Sequence, residues 1–312
     1  MWFLCGWFLI GCTPNEVLRL PGDWRARSEL EGPARRGAVA FVIGHKAYIT
    51  TGLNLTDEAL ADLWIYDDAA NTWTQGLNFP GKARSEAVGF AIGNKGYVGT
   101  GLDAKDSLLR DFYEYNPLTN QWRQIANFGG SARQSAVGFV IDSLGYVATG
   151  SDGLEQRDLW AYNPASDSWQ RKADFSGNAR TGAASFVVNS QAYLGTGSTN
   201  GVNQTDFWMY DPAKDSWFER HSFERTSIAR SNGVGFAINN IGYFVTGACA
   251  QRSGDYDFWA YDPVGDSWNL KASFEGISRT KAVGFAIGST GYVATGINGK
   301  KSFDDLWVFM PD

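Results

Sequence analysis

Apolar and polar residues alternate along this chain in short runs, with turn residues between them. Ala87-Val88-Gly89-Phe90-Ala91-Ile92 sets small residues on one face and Val, Phe and Ile on the other; Gly233 to Ile238 and Ala282 to Ile287 repeat it. Successive side chains of a strand point to opposite faces, so a period of two predicts strands. Between Ala132 and Trp169 four such patterns follow one another: Ala136 to Ile141, Gly145 to Thr149, Asp158 to Tyr162, and one that opens at Trp169. Asn163-Pro164-Ala165-Ser166 and Asp262-Pro263-Val264-Gly265 are turn chemistry. Pro presets φ there, and Asn or Asp bonds the backbone beside it. No helical period, coiled coil or low-complexity tract is present.

The four-strand unit recurs. Trp24, Trp73, Trp122, Trp169, Trp217 and Trp268 stand 49, 49, 47, 48 and 51 residues apart, and Arg35, Arg84, Arg133, Arg180, Arg230 and Arg279 keep the same beat. So do six Thr-Gly pairs, from Thr51-Gly52 to Thr295-Gly296. A period near ~50 residues with four strands per unit predicts propeller blades. Asp23 and Trp24 match the start of a fourth strand with no first three before them. Leu306-Trp307-Val308-Phe309 matches a third strand with no fourth after it. The two partial blades complete each other, which predicts an all-β ring of six blades closed by the N-terminal strand. Stacked blades bury both faces, so the large face of one should enter the small face of the next.

These residues resemble kelch repeats. The resemblance rests on Arg before the first strand, Gly-Tyr before Thr-Gly as in Gly145-Tyr146, Tyr-(Asp/Asn)-Pro as in Tyr210-Asp211-Pro212, and the Trp that follows. It spans residues 19–312. Thr-Gly stands where kelch repeats usually carry a double glycine. The resemblance implies that the Arg lies in the loop entering the innermost strand, near the mouth of a central channel. Six guanidinium groups there would suit anionic ligands. A residue present in every blade more simply serves what every blade needs, here a loop anchor.

Composition narrows the class. Formal charge is −6 with no basic stripe, which argues against nucleic acid. Residues 1–11 are apolar, and Leu9-Ile10-Gly11-Cys12 resembles a bacterial lipobox. The expected organisation is a signal peptide over 1–11, a tether over 12–18 and the propeller over 19–312. Acyl chains on Cys12 would anchor a monomer to the outer membrane, with no other membrane contact. The run lacks the basic n-region of a signal peptide, which a start codon assigned too late would explain. Cys5 would leave with the signal peptide, so Cys249 stands alone and no disulfide framework is expected.

Chemistry is sparse. His45 and His221 have no partners at metal-ligand spacing, and no cofactor or metal is expected. Trp64, Trp160, Trp208, Trp259 and Trp307 repeat with the scaffold and are expected to be buried. Function is sought where the symmetry breaks. The step from Trp217 to Arg230 is 13 positions against 11 in every other copy, with the extra length in 224–228, and the loops after Thr-Gly differ in every copy. Kelch connectivity would place Arg252, Tyr256, Lys300 and Lys301 along one sector of the rim, with Arg230 and Arg279 lining the channel beside them, and these six form the candidate binding sector for a protein or glycan partner at the loop-bearing rim. The expected function is a non-enzymatic binding or scaffold module on the bacterial envelope. The alternative is a sugar-active enzyme resembling periplasmic kelch-type sialic acid mutarotases, which are thought to use Glu and Arg at a channel mouth. Glu86, two residues after Arg84, is the candidate for that chemistry.

Overall fold

The computed structural model describes residues 22–222, 229–249 and 258–311. Six four-stranded antiparallel sheets make up the ring. Their inner strands are Val39–Ile43, Val88–Ile92, Val137–Ile141, Ala184–Val188, Val234–Ile238 and Val283–Ile287. Each inner strand touches the next, and the first touches the sixth. Every inner strand joins its second strand through two residues, and the first of these has φ between 50° and 61°. The residues there are Gly44, Gly93, Asp142, Asn189, Asn239 and Gly288, the types that tolerate such a turn.

The sixth blade is built from both ends of the chain. Asp23–Ala26 pairs antiparallel with Leu306–Met310, Trp24 facing Phe309. Trp24 also packs edge-on against Phe258 and Phe274 of the fifth blade, with ring centroids at 5.2 and 4.9 Å. The closing strand therefore completes one sheet and caps its neighbour.

Blades stack large on small, as the alternation predicts. A Cβ on Gly96 would fall 2.1 Å from the Phe41 ring, on Gly145 2.3 Å from Phe90, and on Gly242 2.0 Å from Phe186. Ala47 and Ala192 take the same place against Phe285 and Phe139. Burying each such Val or Phe contributes about 1.5–3 kcal/mol. Around the far end, each of the first five blades holds one residue of the preceding one. Trp169 Nε1 donates to the Ala126 carbonyl at 3.2 Å, and Asp167 accepts both the Ala126 N–H at 3.0 Å and the Tyr162 hydroxyl at 2.8 Å. Trp73, Trp122, Trp217 and Trp268 hold Ser28, Leu77, Ala173 and His221 in the same way. Among the described residues no helix is long and apolar enough to cross a membrane.

Candidate functional site at the channel mouth

Each repeated Arg is buried inside its own blade. Arg133 donates to Asp158 through both terminal nitrogens, at 2.5 and 2.8 Å, and to the Thr149 carbonyl at 2.9 Å. Asp158 also accepts from Trp160 Nε1, and the guanidinium lies over the Phe128 ring. Arg35, Arg84 and Arg180 repeat the arrangement with Asp62, Asp111 and Asp206. Burial alone would raise the Asp62 and Asp158 carboxyls, but the paired arginines outweigh it and hold both below the usual carboxylate range.

This geometry corrects two of the expected binding residues. Arg230 and Arg279 are 3% and 2% exposed and donate to the Thr246 and Thr295 carbonyls. Arg279 is further paired with Asp305. Their guanidinium groups face the blade interior, where a carbonyl and, for Arg279, a carboxylate already engage them. Lys300 and Lys301 are exposed on the hairpin between Ile297–Asn298 and Lys301–Ser302, and line neither cavity described below. Cys12, Arg252, Tyr256 and the 224–228 loop lie outside the described residues. Trp64, Trp160, Trp208 and Trp307 are half-buried, and their indole N–H groups serve the Asp of the Arg pair, as Trp64 does at 2.7 Å. His45 and His221 are exposed, and no cluster of metal-ligating type occurs among the described residues.

The mouth is formed two residues after each Arg, by Gly37, Glu86, Ser135, Gly182, Asn232 and Lys281. Their backbones make a closed circle. Glu86 N–H donates to the Gly37 carbonyl, Ser135 to Glu86, Gly182 to Ser135, Asn232 to Gly182, Lys281 to Asn232 and Gly37 to Lys281, at 2.8–3.1 Å. All six residues have φ between 53° and 61°. That left-handed region is free to glycine and strained for other L-residues. The side chains then converge. Lys281 Nζ lies 2.6 Å from Glu86 Oε1, and Ser135 Oγ donates to Glu86 Oε2 at 3.1 Å. A Cβ on Gly37 would sit 2.9 Å from Glu86 Oε1, and one on Gly182 2.6 Å from Asn232 Oδ1, so a side chain at either place would push its neighbour aside.

Two connected cavities open here. The axial one, about 130 Å³, is lined by the six ring residues and the small residues after them. A larger one, about 480 Å³, adjoins it at Ser135, Asn232 and Lys281 and extends between the loops of the third and fourth blades. Gln134, Ser151, Glu155, Thr181 and Asn200 supply its polar wall. Glu155 Oε1 accepts the Asn200 N–H at 2.8 Å and ties the two loops together. Apart from Glu86 and the loop residue Glu155, none of these wall residues stands out in the sequence. The signal that finds the ring is position: reading the residue two after each Arg.

The KLHDC2/KLHL20/DRC7 Kelch-repeats domain matches residues 24–178. No curated protein matches the chain. A solved structure titled "Structure of YjhT" aligns with TM-score 0.76 at 17% sequence identity, over 90% of this chain and 95% of that one. With six sheets in a closed ring, the fold is a six-bladed kelch-type β-propeller.

Proposed function

We propose that the protein is a non-enzymatic binding module that holds a glycan at its channel mouth, displayed on the bacterial envelope through acylated Cys12. One observation carries the reading of the site. Where two blades place glycine in the left-handed ring, four others place Glu86, Ser135, Asn232 and Lys281. A non-glycine residue there costs about 1–2 kcal/mol, least for Asn. Scaffold demand does not explain that strain, because Gly37 and Gly182 make the same backbone bonds without it. Strain of this kind collects at functional sites. A cavity of about 480 Å³ is of ligand size, and its amide and hydroxyl wall matches a hydroxyl-rich ligand better than an apolar one.

Glu86 favours a second reading, a sugar-active enzyme. Its carboxylate lies at the mouth between Lys281 and Ser135, where a proton could pass to or from a bound hydroxyl. The partner there is Lys281 rather than the arginine that the resemblance offered. Polarimetry of an anomerically pure sugar with and without the protein separates the two readings. Calorimetric titration of sugars into the wild type and Asn232→Gly tests the site. Glycine suits φ 55°, so the variant should fold and bind at least about tenfold more weakly. Equal affinity would move the site away from the mouth.

A further inference from the structure

We infer that the mouth selects neutral sugars over sugar acids, a refinement that rests on the glycan reading above. Lys281 is the one cation lining either cavity among the described residues. It is already answered by Glu86 at 2.6 Å. Glu86 is 13% exposed and takes a further hydrogen bond from Ser135, so it is held in place against the ammonium. A ligand carboxylate reaching Lys281 must displace Glu86, and then faces it as a like charge. Glu155 adds a second carboxylate to the wall. Taken together, the two linings hold two carboxylates against one ammonium, a formal charge of −1, so an entering anion meets no cationic excess. The sequences of the internal segments outside the described residues, 223–228 and 250–257, hold two arginines against three carboxylates and bring no cationic excess.

What remains on the wall suits a neutral sugar. The amides of Gln134, Asn200 and Asn232 offer donors and acceptors together, as pyranose hydroxyls require. Leu154, 76% exposed at the cavity edge, supplies an apolar surface for the C–H face of a ring or an N-acetyl methyl. Selectivity of this kind comes from a built-in repulsion as much as from attraction.

The test titrates methyl hexosides, an N-acetylhexosamine and a hexuronic acid into the protein at low and high sodium chloride. The neutral sugars should bind at least about tenfold more tightly than the acid, with less than about twofold change over the salt range, because no ligand charge is being screened. Glu86→Gln frees Lys281, so the acid should gain about tenfold and its binding should become salt-dependent. Glu86→Gly, carrying the residue that two blades already use in the ring, gives the same release should the Gln variant misfold. Tighter binding of the acid by the wild type, or an unchanged neutral-to-acid ratio in the folded Glu86 variants, overturns this inference and leaves the glycan reading standing. No binding of any sugar overturns both.

Discussion

An arginine at 0% exposure keeps its charge only where something answers it, and Arg133 has Asp158, a carbonyl and a ring face. Arg133→Ala would leave the Asp158 carboxylate in a mostly buried site with only the Trp160 N–H and water. Breaking one side of such a pair costs about 3–5 kcal/mol, so chemical denaturation should show a loss of that size. The pH dependence gives a sharper check. In the wild type the folded Asp158 carboxyl lies below its ordinary value, net of the burial that opposes it. Its contribution is therefore full above the unfolded value, near ~3.9, and is lost as pH falls through the folded one. Asp62 behaves in the same sense, and so does Asp167, lowered first by the Ala126 N–H. Stability should be flat between about pH 7 and pH 5 and fall below about pH 4. In Arg133→Ala burial acts on Asp158 without the guanidinium, and its folded value rises. Protonation then favours the folded state, so the deficit of the variant should shrink as pH falls. A deficit that stays constant from neutral to acid pH would show that Arg133 acts through packing alone.

At the scale of elements, the closing strand carries the ring. Trp24 meets Phe309 of its own sheet and Phe258 and Phe274 of the neighbouring blade. Trp24→Ala should cost about 3–5 kcal/mol and expose the edge of Leu306–Met310. Denaturant titration reads the first effect and size-exclusion chromatography the second. A variant equally stable and strictly monomeric would mean that closure rests on contacts other than Trp24. This strand is legible in the sequence, because Trp24 copies a position seen in five other blades. The blade packing is legible too, since Gly96 or Gly242 at strand period announces a small face. The mouth is not legible in the same way. Glu86, Ser135, Asn232 and Lys281 share no residue type and lie one repeat or more apart; only the six-fold arrangement of the blades brings them within reach. The repeated arginines mislead for the converse reason. Their regularity draws the eye to the channel, while the carboxylates that pair with them, such as Asp111 and Asp158, sit 27 and 25 residues further on.

Across the whole molecule, the residues that repeat and the ones that vary have different tasks. Arg, Trp and Thr-Gly repeat in six blades and hold the scaffold; the ring two residues after each Arg varies while its backbone bonds do not. A scaffold of this kind is rigid without its mouth side chains, so stability and binding should come apart. The direct measurement is the quadruple variant Glu86→Gly, Ser135→Gly, Asn232→Gly and Lys281→Gly, followed by thermal melting and by sugar titration. All four positions have φ between 53° and 55°, and two blades already carry glycine there. The account predicts a melting temperature equal to or above that of the wild type, from relief of left-handed strain, together with loss of sugar binding. A clear fall in melting temperature would make those side chains part of the scaffold. Retained binding would place the ligand elsewhere, and either result contradicts the account.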